Sequence, residues 1–175
     1  VNHVVRKVKK MVPPCSLPGA VRFNDAVALG RGKAYTAPTV GPDDIAVLQY
    51  TGGTTGVSKG AVLLHRCLVA NILQAEAWYQ PALKKIPPGE QIVTVCALPL
   101  YHIFGFNTNM MLGLKMGGCN LLIANPRDFA AVLKDLAAQP FHSFPAVNTL
   151  FASLANHPDF DKVDWSHLKI SVGGG

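Results

Sequence analysis

The strongest chemical signal in the chain lies in eleven residues. Tyr50-Thr51-Gly52-Gly53-Thr54-Thr55-Gly56-Val57-Ser58-Lys59-Gly60 combine four glycines, three threonines, a serine and one lysine. Glycine has no Cβ, so successive backbone N–H groups can turn toward one point and a ligand can approach the main chain. The hydroxyls of Thr51, Thr54, Thr55 and Ser58 add donors, and Lys59 adds a mobile cation. Charge-assisted hydrogen bonds are about twice as strong as neutral ones, so a polyphosphate is the natural guest. Two other phosphate loops are excluded by counting. A Walker loop requires Gly-Lys-Ser/Thr, whereas Gly56 is followed by Val57-Ser58-Lys59-Gly60; the dinucleotide fingerprint G-x-G-x-x-G requires glycine where Thr54 stands.

The other candidates are single residues. His102 follows Leu98-Pro99-Leu100-Tyr101. Taken alone it reads first as a buried histidine satisfied by a carbonyl; the functional alternative is a donor to charge developing on a carboxylate or phosphate oxygen. Phe104 and Phe106, on either side of Gly105, are plain core or the lining of an apolar tunnel. Val147-Asn148-Thr149 either shape the same pocket or open a helix. His65 reads as a helix-start residue, and His3, His142, His157 and His167, without partners at ligand spacing, read as structural. Cys15, Cys67, Cys96 and Cys119 form no C-x-x-C pair, which argues against a zinc site or disulfide framework and for a reducing compartment.

These residues need elements to hold them. The sequence is 49% hydrophobic and 15% charged, a composition that excludes disordered and fibrous classes. Its formal charge of +6, concentrated in part at Arg6, Lys7, Lys9 and Lys10, suits anionic ligands. The basic cluster reads mainly as a solvated helix face, with a membrane or partner surface as the alternative. Nucleic acid is disfavoured because exposed aromatics do not interleave with the basic residues. The apolar stretch 110–124 is broken by Lys115, Gly117, Gly118 and Asn120, so it does not span a membrane.

Residues 1–44 read as an irregular lead-in: a basic segment, the breaker Pro13-Pro14, a helical patch over 23–29 and a loop over 30–44. Beyond it the pattern alternates. Strands are predicted over 45–50, 61–64, 91–97, 120–124 and 168–172. Helices are predicted over 66–78, 106–116, 128–138 and 147–154, with Leu68, Ile72 and Ala75 on one face of the first. The fold class is α/β, a layered sheet-and-helix domain. Both ends read as cut: the chain opens on Val1 and closes on Gly173-Gly174-Gly175 after a strand.

The loop resembles the nucleotide-binding signature of the adenylate-forming superfamily, which unites acyl-CoA synthetases, luciferases and peptide-synthetase adenylation domains; every defining position from Tyr50 to Gly60 is present. Leu98-Pro99-Leu100-Tyr101-His102-Ile103-Phe104-Gly105 resembles the second signature of that superfamily. Gly117-Gly118, Asn125-Pro126-Arg127-Asp128, Val147-Asn148-Thr149-Leu150-Phe151 and Gly173-Gly174-Gly175 resemble long-chain fatty-acid–CoA ligases in particular. Phe144-Pro145-Ala146 departs from the Thr-Gly expected ahead of Val147.

The resemblance implies that residues 1–175 are a fragment of the AMP-binding N-terminal domain, without the C-terminal domain. It implies that Thr51, Gly52, Gly53, Thr54, Thr55, Gly56, Val57, Ser58, Lys59, Gly60, Ala61 and Val62 wrap the phosphates of ATP. Lys59 and His102 would be the catalytic residues, and His102, Phe104, Val147, Asn148, Gly173, Gly174 and Gly175 would line the adenine and acyl pocket. Thr51 would assist a magnesium ion. The implied activity is ATP-dependent conversion of a long-chain fatty acid to acyl-adenylate and then, with coenzyme A, to acyl-CoA. The fragment itself is expected to be inert. Delivery of the acyl group to a carrier protein, and a non-catalytic nucleotide-binding module, are the alternatives. The implied setting is cytoplasmic, with loose attachment to a membrane because the substrates are amphiphilic.

Overall fold

The computed structural model describes residues 4–13, 16–51 and 58–174. Contacts divide the chain into two units, Val1–Thr39 and Val40–Gly175. The first contains one π-helical turn, Val4–Val8, and helix α1, Phe23–Gly30, and none of the residues in these two elements is buried. Helix α1 falls on the patch expected over 23–29, and the π-helical turn falls in the basic segment.

In the second unit, β1 (Ile45–Thr51) and β2 (Lys59–Leu64) form an antiparallel two-stranded sheet that brings Thr51 opposite Lys59. Helix α2 (His65–Leu83) follows directly, and its first turn is tied back to the segment before β1 by His65 N–H to Asp44 O and Arg66 N–H to Pro42 O. The sequence places the end of this helix at residue 78, ahead of Pro81. The helix runs through Pro81 and ends two residues later. Its buried face is Leu68, Ile72 and Tyr79, spaced by turns of an α-helix.

A four-stranded parallel sheet forms the centre, in the order β4 (Cys119–Leu122), β3 (Val93–Cys96), β5 (Ser143–Ala146), β6 (Ile170–Gly173). Helices cover both faces. On one side α5 (Phe129–Ala137) and α6 (Asn148–Ala155) supply Val132, Leu133, Leu136, Leu150 and Leu154 to a core with Val95, Phe141 and Phe144. On the other, Ile72 and Tyr79 of α2 meet Leu112, with Ile170 and Val172 of β6 packed against them. Each such large apolar side chain, removed from water, contributes roughly 1.5–3 kcal/mol.

Three further expectations need correction. Strand β5 is absent from the sequence reading, and its Pro145 lacks the N–H that a central strand residue ordinarily donates. The structure accommodates it: pairing with β3 is confined to Thr94 opposite Ser143, while β6 pairs along the whole strand. The single helix expected over 106–116 is a composite of α3 (Ile103–Gly105), a π-helical segment (Phe106–Met111) and α4 (Leu112–Met116). Within it, Thr108 Oγ1 donates back to Phe104 O at 2.7 Å, a side-chain bond that competes with the α-helical ladder. Asp128, expected as the first helical residue, is instead the N-cap of α5, accepting from the Ala131 N–H at 3.2 Å.

Candidate active site

Parallel α/β sheets bind ligands in the crevice outside the carboxyl ends of their strands. The loop after β3 leads to His102, the residue after β5 is Val147, and β6 ends at Gly173, so the sequence candidates outside the phosphate loop collect at one edge of the sheet. His102 is exposed and caps α3, and its Nδ1 accepts the Phe104 N–H at 3.2 Å. With Nδ1 used as an acceptor, the neutral ring carries its proton on Nε2. It is therefore satisfied by a backbone donor rather than by a carbonyl, and the other nitrogen is left as a donor.

Close backbone approach fixes this corner. A Cβ on Gly105 would stand 2.6 Å from Pro99 O, so only glycine lets α3 fold against the β3 loop. A Cβ on Gly174 would stand 3.3 Å from the ring of Phe104, which places Phe104 against the glycine end of β6. From below, Asn109, fully buried, donates to Val95 O at 3.0 Å, while Asn120 donates to Asn109 O at 3.1 Å; together they lash the π-helical segment to β3 and β4.

An apolar cavity of about 630 Å³ opens beside Phe104, lined also by Trp78, Tyr79, Ile103, Asn107 and Val172. This is within the usual size for small-molecule sites. Burial pushes the Tyr79 phenol up, and the nearby Ser143 hydroxyl offsets part of that; neither hydroxyl has an aligned hydrogen-bond partner among the described residues. Val147 lies elsewhere, in a second cavity of about 310 Å³ with Leu98, Pro99, Arg127 and Leu150. Asn148 is the first residue of α6. Sequence reasoning missed Trp78, Tyr79 and Asn107 as pocket residues. The spacing 68, 72, 75 continued to 79 would have carried the apolar face of α2 to this cavity.

Of the phosphate-loop candidates, Gly52–Val57 and the side chain of Thr51 lie outside the described residues, as does Gly175 among the pocket candidates. Ser58, Lys59, Gly60, Ala61 and Val62 are all exposed at the start of β2. Lys59 lies directly across from Thr51 at the end of the β1–β2 ladder. The hairpin and the His102 corner share no described hydrogen bond.

One triad of metal-capable groups stands elsewhere. Glu90, His142 and His167 offer ligand atoms within 4.8 Å of one another, a grouping invisible in their spacing. His142 is buried, its Nδ1 accepts the Val93 N–H at 3.0 Å, and its Nε2 meets Glu90 Oε1 at 2.9 Å. A metal on Nε2 would require the proton on Nδ1, facing the Val93 N–H, so the arrangement suits a hydrogen-bond clasp instead. Magnesium, which takes oxygen ligands, fits it no better.

The sequence pattern of the family described as "AMP-binding enzyme" matches residues 5–175. The chain belongs to the AMP-binding enzyme family. Similar proteins extend the match along its whole length. It is 49% identical over 175 residues to a long-chain-fatty-acid–CoA ligase of Escherichia coli O157:H7, covering all of this chain and 30% of that protein. It is 31% identical over 153 residues to the corresponding ligase of Bacillus subtilis strain 168, covering 87% of this chain and 26% of the relative. Among solved structures, ATP-bound MatB from Rhodopseudomonas palustris aligns with a TM-score of 0.69 at 27% identity, over 86% of this chain and 28% of that one. The anthranilate CoA ligase AuaEII with anthranoyl-AMP has the same fold, with a TM-score of 0.67 at 23% identity over 97% and 33% of the two chains. The chain thus spans about 30% of the length of the first of these ligases. In this member of the AMP-binding enzyme family, a parallel sheet flanked by helices carries the glycine-ended strand β6. No helix among the described residues is long and apolar enough to cross a membrane.

Proposed function

We propose that this chain forms part of a long-chain fatty-acid–CoA ligase, in which its hairpin loop grips ATP and its sheet edge receives the acyl group. The observation that supports this best is the convergence of His102, Phe104 and Gly174 at the carboxyl edge beside an apolar cavity. In the proposed reaction, a fatty-acid carboxylate oxygen bonds to the α-phosphorus of ATP, and the bond to pyrophosphate breaks. The coenzyme A thiolate then attacks the acyl carbon and AMP leaves. Residues 51–62 position the phosphates, with Lys59 countering charge on the leaving pyrophosphate. His102 Nε2 donates to the carboxylate or α-phosphate oxygens. Phe104, with Gly173 and Gly174, borders the acyl and adenine groups; Val147, with Asn148 after it, borders the neighbouring second cavity, and Gly175 is assigned by the resemblance alone. Positioning and charge neutralisation supply most of the acceleration in such steps. Magnesium would neutralise triphosphate charge, with the Thr51 hydroxyl assigned to it as the resemblance implies; no described carboxylate cluster at the hairpin fits the ion, so it would arrive with the nucleotide.

Coenzyme A is preferred to a carrier protein as acceptor because the Escherichia coli and Bacillus subtilis relatives and AuaEII are CoA ligases. The setting is the cytoplasm, with peripheral attachment at the inner face of the membrane, where amphiphilic substrates partition. In the intact ligase, Lys59→Ala is expected to raise the barrier to adenylate formation by about 2–4 kcal/mol, the scale of one lost oxyanion donor. Pyrophosphate exchange measures it, and an unchanged rate removes Lys59 from the mechanism. Residues 1–175 alone, given ATP, magnesium, fatty acid and coenzyme A, are expected to form no thioester; sustained turnover would overturn the assignment of the remaining chemistry to other parts of the enzyme.

A further inference from the structure

Val4–Val12 reads Val-Val-Arg-Lys-Val-Lys-Lys-Met-Val, and the first acidic residue of the chain is Asp25. Arg6, Lys7, Lys9 and Lys10 are exposed and unpaired among the described residues. Four of the interleaved apolar side chains are exposed as well: Val4, Val8, Met11 and Val12, at 45%, 67%, 68% and 45%. On a helix of 3.6 residues per turn, Val4, Val5, Val8, Met11 and Val12 fall within roughly 120° of circumference, and the four basic residues occupy the opposite side. Such segregation of charge and apolar surface, unpartnered on both faces, is the signature of a helix lying in a lipid interface.

We propose that Val4–Val12 docks on an anionic lipid surface, with its valines and Met11 entering the acyl boundary and its lysines and arginine on the headgroups. The assignment rests on the peripheral placement proposed above and names the segment responsible. The backbone supplies a second argument. The helical turn closes through Lys9 N–H to Val4 O at 2.8 Å and then breaks at Lys10, whose φ is +47°. A positive φ is unfavourable for lysine. Continuing the helix to Met11 would relieve it and extend the apolar stripe, with Val12 closing its end because Pro13 disfavours α geometry in the residue before it. A membrane is favoured over a nucleic acid because a polyanion in water offers nothing to the exposed apolar face.

Co-sedimentation of the chain with vesicles of mixed phosphatidylglycerol and phosphatidylcholine, against pure phosphatidylcholine, tests the proposal, with circular dichroism read on the same samples. The chain is expected to partition onto the mixed vesicles, to gain helix there and to be released by salt. Lys9→Gln with Lys10→Gln is expected to lower partitioning about 25-fold, at about fivefold per basic residue. Val8→Ser with Met11→Ser is expected to lower it at least about tenfold while leaving the salt dependence in place. Lys84→Gln with Lys85→Gln, an exposed basic pair in the other unit, is expected to stay within about twofold of the parent. If the parent ignores anionic vesicles, both the segment and the peripheral placement are overturned. If the parent binds and the segment variants bind equally, the segment is overturned and the placement stands. Loss in the charge variant with none in the apolar variant identifies a simple polyanion binder and also overturns the docking.

Discussion

The two regions that carry candidate chemistry are built to opposite specifications. The four-stranded sheet is enclosed on both faces: all four residues of β5 are buried, as are three of the four in β3. The β1–β2 hairpin has no buried residue among those whose side chains are described, and Ile45, Leu48, Tyr50 and Val62 are all more than half exposed. The corner holding His102 is thus anchored by a packed interior and by the Asn109–Asn120 lashing. The hairpin is held by its own ladder and by two backbone bonds to the start of α2. A two-stranded ribbon is marginal on its own. Its geometry therefore depends on covering surface far more than the sheet edge does.

The contrast makes apolar truncation asymmetric. Phe141 is fully buried and packs edge-on against Phe144 and Trp165, with ring centroids 6.2 and 5.6 Å away. Phe141→Ala is expected to cost about 3–5 kcal/mol, through lost transfer energy and the cavity it leaves. Leu48→Ala, at a position 54% exposed in β1, is expected to cost less than about 1 kcal/mol. Denaturant titration of both variants measures the difference, and equal costs would show that the hairpin is packed as tightly as the sheet.

A smaller effect sharpens the anchoring argument at the opposite end of the strands from His102. His142 links three strands: its N–H bonds to Val93 O, its carbonyl accepts from Lys169 and Ile170, and its ring accepts the Val93 N–H. His142→Ala leaves the Val93 donor without its partner beside a cavity, an expected loss of about 2–3 kcal/mol. Glu90→Gln keeps an acceptor opposite Nε2 and is expected to cost under about 1 kcal/mol, the scale of a partly exposed polar pair. Hydrogen exchange at the Val93 amide is the measurement, because faster exchange in His142→Ala but not in Glu90→Gln separates the ring bond from general loosening.

The sequence conveyed the alternation of strands and helices well because apolar periodicity reports one-sided burial, as at Leu68 and Ile72 of α2. It failed where a local rule was overridden by the surrounding sheet. No strand is read around Pro145, which lacks the N–H of a ladder residue, yet β5 is central and fully buried, because its pairing with β3 is short. The helix after Tyr101 was legible as apolar sequence, but its start was not, since the deciding bond runs from the Phe104 N–H to the ring of His102. The site followed the same division. Residue types marked the loop as a candidate directly and His102 only through the resemblance, whereas the cavity beside Phe104 draws Trp78, Asn107 and Val172 from three separate elements, and no spacing in a single stretch encodes that meeting.

The mildest expected effect concerns acid, and it returns to the enclosed region. The segment after α6 carries two exposed aspartates held below the ordinary carboxylate range: Asp159 by its bond to Lys162 at 2.6 Å, and Asp164 by the Ser166 hydroxyl and then the Ser166 N–H. For a carboxylate whose folded value is lowered, the unfolded chain binds protons first as pH falls, so stability declines in acid. Their contribution is complete above the ordinary aspartate value of about 3.9 and is gone once pH has dropped through the lowered folded values. Both groups are exposed, so solvent screening keeps the effect small. Asp164→Asn with Asp159→Asn is therefore expected to flatten the stability profile below about pH 4 and to leave it unaltered near neutrality apart from a constant offset. Phe160 and Trp165 of this segment stack with ring centroids 4.6 Å apart, and Trp165 meets Phe141, so the acid dependence set by the two aspartates is expected on the β6 side of the sheet and not in the hairpin. Amide exchange followed as pH is lowered reads it: the double substitution is expected to alter the acid dependence of protection near β6 only, and an equal change in β1 and β2 would remove the local role of the two aspartates.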